Sequence, residues 1–394
     1  MSSEIKLIMI NVIDLALSLP LILSSFMQLQ SIKFSGNHNE EFYKVLRSRV
    51  NDYFKSNNIS RYANTAMVFK TIAMLLLYFV PFVLLLTLNV PIWMELIFWI
   101  IMGFGMAGVG LSVMHDANHG TYSKKDGVNK FIGKVLFLLG GSDVNWRIQH
   151  NVLHHTYTNV TGMDEDINPG AVMRFSPHEK RRVLHRFQHF YAWFFYGLMT
   201  MMWFISKDYQ QAVRYKKKGL IATQRISFGK HLATIIIAKI LYGGVFIALP
   251  MWLTASPWWV TIIGFVIMQF ITGLTLGMIF QPAHVVPTSD YPMPDASGNI
   301  DADWAVNQLY NTANFAPKAK LLSWYVGGLN YQVEHHLFPN ICHVHYKKIS
   351  KIVEETAKEY NLPYHSYRTF RLALLEHARM LKNLGRNDNA PAIH

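Results

Sequence analysis

The chain has 394 residues, 51% of them hydrophobic and only 15% charged, with a net charge of +13. Apolar blocks this dense exclude a pair of ordinary soluble domains. The Lys and Arg residues lie between the blocks without a nucleic-acid motif, so no nucleic-acid partner is expected. A single cysteine, Cys342, excludes an internal disulfide and a thiolate-rich metal site, which leaves eighteen histidines as candidate ligands.

In chain order, the first apolar stretch is 5–26. It could be a further span, a signal peptide or a segment outside the native protein. It has no small-residue cleavage site, and Met27 is read as the expected start of translation. Four segments then meet the requirement of about 20 apolar residues for crossing a bilayer: 69–88, 92–114, 231–254 and 258–280. They form two hairpins, turned at Asn89-Val90-Pro91 and at Ser256-Pro257, and neither turn is charged. The segment between the hairpins, from Lys124 to Arg225, is rich in Lys and Arg. The positive-inside rule therefore places it in the cytoplasm, with both hairpins starting and ending there. The stretch 190–205 is aromatic but short. A crossing there would put the hairpins on opposite faces, so it is expected to lie along the membrane surface. The tail 343–394 reads as a polar helical extension. The predicted fold is an all-α integral membrane protein with four spans and a cytoplasmic helical cap. It divides into an N-terminal segment 1–64, a membrane domain 65–370 and a tail 371–394.

The histidines fall into clusters. His115 and His119 follow the second span at i, i+4, a spacing that puts both on one helix face. His150 and His154 repeat that spacing, with His155 beside them; His335 and His336 come third, after Gln332; His284 stands just after the fourth span. The topology lets all eight converge on one face. Eight imidazoles exceed the three or four protein ligands of an ordinary zinc site, so two metals are expected. His185 and His189 share the i, i+4 spacing but are expected to be interfacial. His343 and His345, at i, i+2 in a polar stretch, are expected to be structural or to support the ligands from behind. His38, His178, His231, His365, His377 and His394 have no partner motif.

These boxes, together with Trp146 to Asn159, Gly162 to Ile167, Gly327 to Pro339, Trp304, Gln308, Thr312 and Asn314, resemble the membrane fatty-acid desaturases. The Gln332-initiated third box is similar to that of the front-end branch, the delta-5 and delta-6 enzymes. The resemblance covers about residues 60–370. It implies that the eight histidines ligate two irons, with Gln332 as a weak ligand or a neighbour of one. It also implies that Asp116 and Asn118 support the ligands from behind. Asp164, Glu165 and Asp166 could do the same, could dock a basic electron carrier, or could form a solvated acidic loop. The implied reaction is O2-dependent insertion of a cis double bond into a long acyl chain, on the carboxyl side of an existing one. The sequence contains no His-Pro-Gly-Gly haem-binding motif. Electrons are therefore expected from a separate ferredoxin or cytochrome b5 with an NAD(P)H reductase, and membrane lipid is the expected surrounding, the cell inner membrane in a bacterium. A sphingolipid long-chain-base desaturase or an acyl hydroxylase would share the iron site. A membrane zinc hydrolase would need an open position and a general base, and no H-E-x-x-H arrangement offers one. A metal transporter would spread its histidines through the spans.

Overall fold

A computed structural model describes residues 32–36 and 40–387; the apolar stretch 5–26, His38 and His394 lie outside the described residues. Four helices are long and apolar enough to cross a membrane: Thr65–Thr87, Ile92–Asn118, Phe228–Leu253 and Trp258–His284. The spans read from the sequence are recovered, but the second and fourth helices run on past their apolar stretch and end at the histidines. The Asn64 side chain caps the first span by accepting from the Met67 amide at 3.1 Å, and Ser227 caps the third from Lys230.

Small residues let the spans meet closely. A Cβ on Gly105 would lie 2.5 Å from the Tyr78 backbone nitrogen, so only glycine lets the second span rest against the first. Thr272 Oγ1 donates to the Gly103 carbonyl at 3.0 Å, joining the fourth span to the second. Trp99, Met102, Met106, Tyr78, Phe246 and Met268 fill the common core. Val68, Phe69, Ile72 and Leu76 on the first span, and Ile236, Ile237 and Ile240 on the third, face outward, as a lipid-facing surface requires. The Ser256 hydroxyl pairs with Glu95, which puts both hairpin turns at one end of the bundle. His115 and His284 share the other end, as the parity argument expects.

The stretch around 190–205 takes a different course from the one expected. Helices Gln188–Gly197 and Met199–Met202 run lengthwise down the fourth span, with Thr200 Oγ1 donating to the Gln269 carbonyl at 2.8 Å. Gly273 and Gly277 make room for Tyr196, and Gly197 makes room for Phe270. Phe190, Phe194 and Ile205 remain exposed on the outer side.

Two short parallel strand pairs modify the all-helical expectation: Lys33–Phe34 with Asn299–Ile300, and Ala313–Phe315 with His365–Tyr367. The part expected as a tail is packed. Helix Phe370–Arg386 buries Ala373, His377, Leu381 and Leu384. His377 sits between Tyr196 Oη (2.7 Å) and the Val285 carbonyl (2.8 Å), and Arg174 donates to the carbonyls of Leu384 and Asn387 at that helix's end.

Candidate metal centre

Wide π-type turns deliver two of the histidine groups. Val109–Met114 in the second span has this geometry directly before His115, and Arg147–His154 carries His150 and His154. The third group is aimed by a pair of left-handed glycines. Gly327 (φ 63°) passes so close to the second span that a Cβ would lie 2.4 Å from the Leu111 carbonyl oxygen; Gly328 (φ 64°) follows, and the helix Gln332–Leu337 starts four residues on. Gly327→Ala is therefore expected to destabilise the protein by about 1–3 kcal/mol, through left-handed strain and backbone overlap. A fall in the thermal unfolding midpoint in detergent checks this.

All eight histidines meet. The ligand atoms of His115, His119, His150 and His335 lie within 4.8 Å of one another, as do those of His154, His284 and His336. His155, His335 and His336 form a third such group that joins the first two. The His155 and His335 Nε2 atoms face each other at 3.0 Å. Every one of the eight except His119 is buried.

Four of these rings are held from behind at Nδ1. His150 donates to Asp166 at 2.7 Å, His154 to Asp164 at 2.9 Å, His284 to the Asn311 carbonyl at 3.2 Å, and His336 to Gln308 Oε1 at 2.8 Å. An acceptor at Nδ1 fixes the tautomer with its lone pair on Nε2. In all four, Nε2 is buried and has no hydrogen-bond partner; so is His119 Nε2, and so is His155 Nδ1. Buried lone pairs left this way are costly, yet six of them collect in one small space. Burial, and then the neighbouring imidazoles, push the pKa values of His119, His150, His155, His335 and His336 well below that of free histidine. Neutral rings with aimed lone pairs are what a metal requires. His154 is the exception: burial opposes its protonation, but the Asp164 carboxylate outweighs it and raises the pKa. The donor set fits two nitrogen-ligated transition metals such as iron.

The supporting residues divide in ways the sequence left open. Asp164 and Asp166 hold histidines, whereas Glu165 turns away to Arg214 (2.6 Å) and Tyr215 Oη (2.7 Å) and is nearly covered, leaving it little surface to offer a carrier. Asn159, in a left-handed conformation (φ 60°), donates its amide to Asp164 and its side chain to the His284 carbonyl, tying the second box to the fourth span. Asp116 approaches His115 only at 3.5 Å; its other oxygen accepts from His343 Nδ1 at 2.7 Å and from Cys342 Sγ at 3.0 Å. Lys70 Nζ lies 2.6 Å from His343 Nε2, so that neighbouring Asp116, Cys342 and His343 group is internally satisfied. Asn118 does not turn to a histidine: it donates to the Gly133 carbonyl, accepts from Arg147, and braces the first box against the second. Gln332 is buried, with an unpartnered Oε1. His185, expected to be interfacial, is instead buried, held by the Ala171 carbonyl and the Arg182 amide.

Gln308, Asn311 and Tyr346, whose hydroxyl lies 3.1 Å from His335 Nδ1, complete the support. Gln308 accepts from both His336 and Thr158. Gln308→Leu is expected to lower iron affinity about 10- to 100-fold, because it frees the His336 ring, while the spans stay folded. Iron content of the purified variant after graded chelation measures this.

Eight histidines from three boxes and a span end converge at one end of four membrane-length helices, in groups that could hold metal ions. The family model for fatty acid desaturases matches residues 91–368. The chain is 36% identical over 352 residues to the sn-1 linoleoyl-lipid 6-desaturase of Arthrospira platensis, covering 89% of this chain and 95% of that one. It is 34% identical to the protein of the same name from Synechocystis sp., covering 91% and 98%. It is 36% identical to the acyl-lipid (8-3)-desaturase of Physcomitrium patens, covering 90% and 74%. The chain belongs to the fatty acid desaturase family, in its front-end branch, and is an oxidoreductase acting on fatty acyl chains.

Proposed function

We propose that His115, His119, His150, His154, His155, His284, His335 and His336 hold two irons. The enzyme then inserts a cis double bond into a polyunsaturated acyl chain on the carboxyl side of an existing double bond. The observation that carries the metal assignment is the set of buried, unpartnered histidine nitrogens whose opposite ring atoms are anchored. Bound iron would supply, with O2, two electrons from a donor and two protons from solvent, the oxidising power to take two hydrogens from an unactivated methylene pair, releasing two waters. The chain's own contribution is orientation and seclusion. Asp164, Asp166, Gln308 and the Asn311 carbonyl fix the rings before substrate arrives, and the buried setting keeps water from the reacting atoms. Gln332, buried beside the third box, is assigned to the surroundings of the metal rather than to a firm ligand position.

The relatives' names speak for linoleoyl-type chains esterified in lipid ahead of acyl-CoA. The basic stretches between the spans speak for a cytoplasmic histidine end, where a separate ferredoxin or cytochrome b5 with its NAD(P)H reductase delivers the electrons. Expression in a host fed linoleate and α-linolenate, followed by lipid mass spectrometry, tests the reading. A new acyl chain lighter by two hydrogens, with its extra bond on the carboxyl side and absent from a His335→Ala strain, supports it. A product heavier by one oxygen would replace desaturation by hydroxylation.

A further inference from the structure

Beside the histidine centre, a cleft of about 880 Å³ opens between the helix Glu40–Ser56, the segment 58–62, and the chain just after the third box. Among the described residues its lining includes four cations, Arg47, Lys55, Arg61 and Lys124, with the neutral donors Asn58 and Ser60, and no carboxylate. All four cations are exposed, and the Arg61 guanidinium lies over the Tyr62 ring, 5.3 Å from its centroid.

Three observations tie this cleft to the membrane and to the site. Tyr62, on its wall, stands two residues before Asn64, the cap of the first span, so the cleft lies at the level where apolar helix gives way to water. Phe338, on the opposite wall, is two residues beyond His336. Tyr43, also lining it, donates to the Leu337 carbonyl at 3.1 Å and packs edge-on against Trp304, whose Nε1 donates to the His155 carbonyl at 3.0 Å.

Resting on the desaturase reading, we propose that this cleft binds the phosphate-bearing end of the molecule that carries the acyl chain. The volume and concavity suit a small ligand rather than the flat face of a protein. Arg and Lys side chains with neutral hydrogen-bond donors, and no opposing carboxylate, select a phosphate dianion or diester. The phosphate could belong to a phospholipid headgroup or to the nucleotide end of coenzyme A.

Binding is measured by native mass spectrometry in detergent, which reads occupancy without turnover. It therefore stands or falls separately from the desaturation reaction. The probes are dilinoleoyl phosphatidylglycerol, linoleoyl-CoA, and an uncharged dilinoleoyl galactolipid. In an Arg61→Gln/Lys124→Gln double variant, affinity for the phosphate-bearing probe is expected to fall about tenfold or more, with the galactolipid unaffected. Arg61→Lys with Lys124 intact retains binding, and Lys217→Gln, an exposed residue outside the cleft lining, does not alter it. A fall confined to phosphatidylglycerol assigns a lipid carrier, and one confined to linoleoyl-CoA assigns the thioester. Equal binding of both phosphate probes before and after substitution overturns the proposal, as does an equal loss on all three probes. Unchanged acyl binding with slower donor-supported turnover overturns it in favour of a docking surface for the electron carrier.

Discussion

His155→Ala is expected to leave the purified protein with little or no iron and to lower turnover at least about a thousandfold, equivalent to about 4 kcal/mol of lost transition-state stabilisation. His155 is the hub of the cluster. Its ring centroid lies 4.5 Å from both His335 and His336, 4.8 Å from His150 and 4.9 Å from His119, so it adjoins both groups of ligand atoms. His119 does not share that position. His119 is close to His115, His150 and His335 but belongs only to the first group. His119→Ala is therefore expected to keep about half the iron that His155→Ala loses. Metal analysis of the two proteins side by side distinguishes a shared centre from two independent ones. Equal iron content in both variants would show that His155 does not join the groups.

The spans were legible because about twenty consecutive apolar residues leave a chain little choice in a bilayer. The boxes were legible because His115 and His119, or His150 and His154, stand one helical turn apart. His284 was found through topology, since the parity of the hairpins puts the end of the fourth span beside that of the second. The anchors behind the rings were not legible in the same way. Asn311 holds His284 through a backbone carbonyl, which any residue would supply. Gln308 reaches His336 across 28 residues of chain, and only the folded helix Trp304–Asn311 brings them together. The course of the stretch 190–205 was missed for a different reason. An aromatic apolar helix reads alike on a membrane surface and in a slot against another helix. What decides is the space left by Gly273 and Gly277, on a different helix far along the chain, which no local pattern conveys.

Asp164→Asn is expected to lower iron affinity and turnover about 10- to 100-fold, with a larger effect than Asp166→Asn. Both carboxylates hold a histidine, but Asp164 is the more deeply buried and does more. Its Oδ2 accepts from His154 Nδ1 and from the Asn159 amide, and its Oδ1 accepts from the Asp166 amide at 2.9 Å, so one side chain fixes both a ligand ring and the loop that carries the second carboxylate. An asparagine keeps one acceptor oxygen but turns an NH2 toward either the ring or the backbone amides, which sets donor against donor. It also removes the charge that favours a protonated His154. Sign follows from that. With Asp164 present, His154 holds its proton to higher pH in the folded state, so metal must displace a proton there, and iron uptake should weaken as pH falls through the raised His154 pKa. In Asp164→Asn, that acid-side loss of iron should move to lower pH even as the overall affinity drops. Iron retention measured across pH in the two proteins separates this from general damage to the fold, which would lower affinity without moving the profile.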